Sequence, residues 1–243
     1  MNRAMFAAAS GMAAEQSHLD SIAGNLANAE EVGFKGTTME FSELTDGRSV
    51  LGTAPRGERV IFGQGKLVKG GGPFDLAIEG QGFFVLHRPD GSMTYTRDGR
   101  FERASDGTLR SADGGTLAGV RIPGDARDVR VGRDGSVTAA GEKAERIPLG
   151  TVMLATFSAP ERLRSVGGTT FLATPASGGA HAARPGVHGA GTTAFGMLEK
   201  SNVSILESMM EILSAQRAFE ANSKGVQAAD EMQRIANNIN RGS

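Results

Sequence analysis

The stretch LDSIAGNLANAEEVGFKG, residues 19–36, decides how the rest of the chain is read. Leu19, Ile22 and Leu26 fall on one side of a helix, and a glycine–aromatic–lysine loop, Gly33–Phe34–Lys35, stops it. Upstream, Met5 and Met12 continue the seven-residue spacing, and Ala8 and Ala29 join Ile22 on an adjoining seam. The spacing predicts a helix over about residues 3–29. Ala9, Ala13 and Ala23 beside the stripe permit close approach of a partner, whereas Gly11 and Gly24 each cost roughly 1 kcal/mol of helix propensity relative to alanine. Such a helix is marginal alone, so its stripe needs something to pack against.

The other end of the chain offers a partner. Ile205, Ile212, Phe219 and Val226 recur every seven residues, and Ala229, Met232, Ala236 and Ile239 continue the stripe at steps of three and four. Ser201 or Asn202 is expected as the N-cap, with Glu207 in the first turns favoured by the helix dipole. Matching heptads at both ends predict a coiled-coil-like helical pair, formed within one chain, between copies, or both. Gln216, Arg217, Glu220 and Asn222 are expected to set the register between helices.

Between the helices the pattern changes to short β-like runs. DLAIEGQGFFVLH, MTYTRDGRFER, GTLRS, DVRVGRDGSVTAAG and VMLATFS read as strands. Asp90-Gly91, Asp98-Gly99, Asp106-Gly107, Asp113-Gly114 and Asp134-Gly135 read as hairpin turns of type I′, in which both central residues take positive φ. Phe83, Phe84, Tyr95 and Phe101 are expected to pack the sheet. The fold class expected is α+β: long terminal helices and a central antiparallel β domain. Its divisions are residues 1–35 (N-terminal helix), 36–70 (linker or extended segment), 71–195 (β-rich domain) and 196–243 (C-terminal helix). Gly-rich residues 174–196 and residues 45–60 are candidate hinges.

Composition narrows function. Twenty-six Lys+Arg against 27 Asp+Glu give a net charge of -1, which offers no electrostatic footprint for a nucleic-acid partner. Without cysteine there is neither a disulfide framework nor a thiolate metal site. No run approaches ~18 apolar residues, so no membrane insertion is expected, and residues 1–20 lack the unbroken apolar run of a cleavable secretory signal.

Chemical motifs fail on inspection. FGQGKLVKGGGPFD resembles a phosphate loop, but Leu67 stands where a Ser/Thr must meet the metal, and residue 60 is not glycine. His181 and His188 lack a third ligand. Asp98, Asp106 and Asp113 follow no calcium-loop pattern and read as turn residues. No Gly-x-Ser-x-Gly elbow occurs, and Asn202-Val203-Ser204 is better read as part of a helix cap than as a glycosylation acceptor. No cofactor, metal or catalytic residue is therefore expected, and the chain is not read as an enzyme. Lys35 is expected to be an ordinary exposed lysine, where an ion pair is worth only ~0–1 kcal/mol.

ASGMAAEQSHLDSIAGNLANAEEVGFKG resembles the N-terminal signature of bacterial flagellar axial proteins of the rod and hook class. FDLAIEGQGFFVL, YTRDGRF and GTLRSADGGTLAG resemble the central β motifs of that family, and LEKSNVSILESMMEILSAQRAFEANSKGVQAADEM resembles its C-terminal signature. The resemblance runs along nearly the whole chain in the family's order. Gly24 stands where the family often has asparagine, and Glu30-Glu31 replaces a more usual Ser/Thr-containing turn.

The resemblance implies a structural subunit of the basal-body rod that transmits torque from motor to hook. It would self-assemble helically through Met5, Met12, Leu19, Ile22, Asn25, Leu26, Asn28, Ile205, Ile212, Gln216, Arg217, Phe219, Val226, Met232 and Ile239. It implies as partners further copies of the chain, other rod and hook axial proteins, the surrounding ring proteins and the flagellar export apparatus. Of the two rod types it fits, the short segment between Phe34 and Phe74 favours the proximal over the distal. The competing reading is a soluble β-domain binding module with a private two-helix stalk.

Overall fold

The computed structural model describes residues 3–45, 50–141 and 145–241, the side chains of Ala4, Val50 and residues 236–241 excepted. Helices α1 (Arg3–Ala27) and α2 (Ile205–Arg241) bracket a chain of strands and a short 3-10 turn at Pro160–Arg162, an α+β architecture. Two compact units result. The first gathers Met1–Ala27, Thr37–Arg59 and Val203–Ser243; the second gathers Asn28–Gly36 and Val60–Asn202.

In the first unit α1 and α2 pack along one another. The buried or half-buried side of α2 includes Ser208, Ile212, Ala215, Phe219, Asn222, Val226 and Ala229, at alternating steps of four and three. Gly11 explains itself here. A Cβ at that position would come within 2.9 Å of the Asn222 side-chain nitrogen, so glycine is what allows the helices to approach. Ser204 caps α2: its hydroxyl accepts the Glu207 amide at 3.3 Å, and its carbonyl accepts the Ser208 amide at 2.9 Å. The cap thus lies two to three residues later than Ser201 or Asn202.

Residues 36–70, expected as a linker, carry three strands. β1 (Thr37–Thr45) and β2 (Val50–Val60) pair as a two-stranded sheet, followed by Leu67–Lys69. Gly52, Pro55 and Gly57 make the β2 sequence look like a loop, yet Gly52 is the close approach of strand to helix. A Cβ there would lie 2.1 Å from Ser10 Oγ, and the Ser10 hydroxyl accepts the Thr53 amide at 3.2 Å.

In the second unit twelve strands join in one sheet. Its main path runs through Arg127–Val131, Ser136–Ala140, Arg146–Thr151, Thr116–Arg121, Phe83–His87, Met93–Thr96, Thr170–Leu172 and Arg164–Ser165, each antiparallel to the next. Separate pairs join Leu76–Glu79 to Thr192–Phe195 and Leu67–Lys69 to Met197–Glu199. Because successive strand residues point to opposite faces, Phe84 and Leu86 enter one core with Leu76, Phe101 and Leu117, while Phe83 enters a second with Tyr95 and Phe171. Apolar cover on both faces is why FFVL shows no alternation. Phe83, Phe84, Tyr95 and Phe101 are all buried.

The Asp-Gly turns differ from the expected type. At residues 90, 106, 113 and 134 only the following glycine takes positive φ, between 80 and 83°. The Gly91 amide donates to Arg88 O, and the Arg88 amide donates to Ser92 O. This is a type I turn completed by a left-handed glycine, the three-residue hairpin loop, rather than type I′. A carboxylate that accepts from both the amide and the hydroxyl two residues on holds three of these aspartates at negative φ: Asp90 with Ser92, Asp106 with Thr108, and Asp134 with Ser136. Asp98-Gly99 is no hairpin. Gly99 lies where a Cβ would meet Leu76 O at 1.5 Å.

Candidate functional site

Three features compete for a role: the face of α2 turned from α1, a buried charge cluster in the β unit, and two clefts beside it. On α1, Ile22 is buried and Met5, Met12, Leu19 and Leu26 are half-buried. Asn25 serves its own chain: its amide donates to Thr37 O at 2.7 Å and accepts the Thr37 amide at 2.8 Å, as a strand neighbour would. Asn28 lies beyond the helix end, in a turn where its carbonyl accepts the Glu31 amide.

On α2, Ile212, Phe219 and Val226 are half-buried, but Ile205, Gln216, Arg217, Glu220 and Met232 are exposed; of the four polar residues expected to set register, only Asn222 is half-buried. Ile239 lies outside the described side chains. Length explains the exposure of Met232: 37 residues of α2 span about 55 Å against about 37 Å for the 25 of α1, so α1 cannot cover all of it.

The first turns of α2 carry Ile205, Leu206, Met209, Met210 and Leu213, all exposed, with Leu206 at 70 % and Met210 at 64 %. At about 100° per residue Leu206, Met209, Met210 and Leu213 form one stripe, turned well away from the side that holds Ile212, Ala215 and Phe219, with Ile205 at the edge between the two. One helix therefore has two apolar faces, only one of them covered.

In the second unit, Lys35 is not an exposed lysine. Its ammonium is buried 2.7 Å from Glu199 Oε1 and donates to Gly63 O at 2.8 Å. Arg97 reaches Glu199 Oε2 at 3.1 Å and Gly80 O at 2.7 Å, while its Nε is buried without a hydrogen-bond partner. The Gly65 amide also donates to Glu199 Oε1 at 2.8 Å. Burial pushes the Lys35 ammonium pKa down against the opposing pull of Glu199, and Arg97 is shifted in the same direction for the same reason. Around this cluster the Glu199 carbonyl accepts the Gly33 amide at 2.7 Å, and Asn202 accepts the Gly36 amide while donating to Ile61 O and Gly63 O. Gly33 takes φ +72° and faces the Asp98 backbone. Sequence reasoning missed Arg97 and Glu199; the available signal was one acid next to an apolar pair, Met197-Leu198.

The two glutamates that depart from the family's turn have partners. Glu30 pairs with Lys200 at 2.8 Å, and Glu31 pairs with Arg100, which Asp98 also grips. Arg100 separates two open clefts of about 510 and 390 Å³, the second lined also by Asp98, Asp113 and Thr170. In the second, Arg100 is held by Glu31 and Asp98, and Asp113 accepts from Thr170 and pairs with Arg88 at 2.8 Å. Among the described residues no group of three His, Asp or Glu is placed to hold a metal. No described helix is long and apolar enough to cross a membrane.

Comparison with known proteins identifies the family. Residues 77–139 match the family described as flagellar hook protein FlgE/F/G D1 domain, and residues 195–239 match the flagellar basal body rod FlgEFG protein C-terminal family. The flagellar basal-body rod protein FlgG of Agrobacterium fabrum is 36% identical, over 96% of this chain and 97% of its own. That of Borreliella burgdorferi is 38% identical over 99% and 100%, and that of Buchnera aphidicola from Schizaphis graminum is 33% identical over 91% and 94%. On identity and coverage of that extent, the chain belongs to the flagellar basal-body rod protein family.

Proposed function

We propose that the chain is a structural subunit of the bacterial flagellar basal-body rod, assembling helically through its terminal helices to transmit torque from motor to hook. The observation that carries the assembly surface is the uncovered stripe Leu206–Met209–Met210–Leu213, on a helix whose other side already packs against α1. Fully burying such a side chain supplies roughly 1.5–3 kcal/mol, and about half of that is still to be gained at each of these half-exposed positions. Repeated head-to-tail contacts of one surface with another build a filament rather than a closed ring. In this reading α1 and α2 form the coiled-coil-like pair of an axial core, residues 1–35 and 196–243. The remaining stripe residues Met5, Met12, Leu19, Leu26, Ile212, Phe219, Val226, Met232 and Ile239 tighten against neighbouring copies, and the strands of 71–195 have no catalytic duty.

Other rod and hook axial proteins are the natural end-neighbours. Passage through the flagellar export apparatus and contact with the surrounding rings complete the proposed partner set. The test is paired substitution, Leu206→Glu with Met210→Glu, read by electron microscopy and sedimentation of concentrated protein and by motility of the complemented strain. Rods or oligomers in the parent and loss of both assembly and motility in the variant are expected; a variant that assembles and swims normally would overturn the proposal.

A further inference from the structure

We propose that Glu199 is a completion latch: the loop of residues 28–36 docks onto the second unit only after the unit's last strand, Met197–Glu199, is in place. Beside its links to Ile61, Gly63 and Arg100, the loop's bonds concentrate on the end of that strand. Gly33 N donates to Glu199 O, Lys35 Nζ to Glu199 Oε1, Gly36 N to Asn202 Oδ1 and Lys200 Nζ to Glu30 Oε2, so four of its links end within residues 199–202. The partners are 164 to 170 residues away for the side-chain bonds, so each joins the start of the unit's sequence to its end.

Charge sets the order. Without Glu199, docking the loop would place the Lys35 ammonium in a dry site beside the Arg97 guanidinium, with only Gly63 O and Gly80 O to receive their protons. Uncompensated buried charge is strongly unfavourable, and Gly65 N would lose its acceptor as well. With Glu199 present, one carboxylate accepts from Lys35, Arg97 and Gly65 together, and the segment 61–66 is fastened at the same moment by Lys200 N to Lys66 O. A chain that emerges N-terminus first, whether from a ribosome or through a pore, thus holds its N-terminal loop undocked until nearly the whole unit has appeared.

Pulse-labelling hydrogen exchange during refolding of the full chain tests the order. The Gly33 and Gly36 amides should gain protection in the same phase as residues 197–202 and after Leu86 and Leu117; protection of Gly33 and Gly36 ahead of 197–202 would overturn the latch. In the folded Glu199→Gln chain, exchange at Gly33, Gly36 and Gly65 should accelerate by about a hundredfold while Leu86 and Leu117 change less than about threefold. Unchanged exchange at those glycines, or an equal acceleration throughout the unit, would equally refute it. If that variant does not fold, the refolding experiment on the unaltered chain decides alone.

Discussion

Replacing Gly33 by alanine tests the loop geometry at its tightest point. Gly33 takes φ +72°, and a Cβ there would stand 2.3 Å from Asp98 N and 2.6 Å from Arg97 C, both backbone atoms that cannot swing aside. The left-handed conformation alone costs a non-glycine residue about 1–2 kcal/mol. Displacing the loop weakens the Gly33 N–Glu199 O bond, worth a further ~0.5–1.5 kcal/mol net. A total of about 1.5–3.5 kcal/mol follows, which at ~2–4 °C per kcal/mol for a chain of this size lowers the β-unit transition by about 3–14 °C. Scanning calorimetry measures it. Gly91→Ala supplies the control: φ is +82° but nothing lies within 4 Å of the added carbon, so only the conformational cost of about 1–2 kcal/mol remains. Equal shifts for the two variants would refute the claim that close approach, and not φ alone, requires Gly33.

Other expectations are simpler. Gly24→Ala should stabilise α1 by up to ~1 kcal/mol, since Gly24 has open space around it; a helical transition that falls in circular dichroism melts would contradict this. Ser204→Ala should destabilise the start of α2 by ~1 kcal/mol, read as faster amide exchange at Glu207 and Ser208, whereas Ser201→Ala, if Ser201 were the cap, would produce that effect instead. Asp90, Asp106 and Asp134 accept hydrogen bonds that hold their carboxyls below the usual 3.8. Burial raises the Asp113 pKa, but bonds from Ser111 and Thr170 outweigh it and leave that group low as well. Groups depressed in the folded state contribute stability above the unfolded pKa and lose it as pH falls through the folded one. Urea midpoints should therefore decline below pH ~4, with a shallower decline in Asp113→Asn; a flat profile from pH 5 to 2 would contradict the assignment.

What the sequence disclosed was what repeats locally. The heptads of α1 and α2 and the strand-turn-strand rhythm around Asp90, Asp106 and Asp134 depend on neighbours a few residues apart, and both are visible without coordinates. The turn type was misread because Asp-Gly fits two loops, and only the Ser or Thr two residues later, bonded back to the carboxylate, selects the one with aspartate at negative φ. β2 was hidden because Gly52 is a contact requirement that looks like a loop marker. The Lys35–Glu199–Arg97 cluster was hidden for a different reason: a lysine reads as exposed until its partner, 164 residues on, is brought beside it. On α2, Ile212, Phe219 and Val226 were legible from spacing, whereas the exposed Leu206, Met209, Met210 and Leu213 fell off the heptad and stood out only once α1 was seen to cover the side of Ile212.

The chain contains no cysteine, so Leu206→Cys introduces its only thiol, at the most exposed position of the uncovered stripe. Maleimide labelling of that thiol in the free protein and in isolated basal bodies is the most direct test of assembly through α2. Rapid labelling of the free chain and protection by at least tenfold in the basal body is the predicted result; equal labelling in both would contradict it.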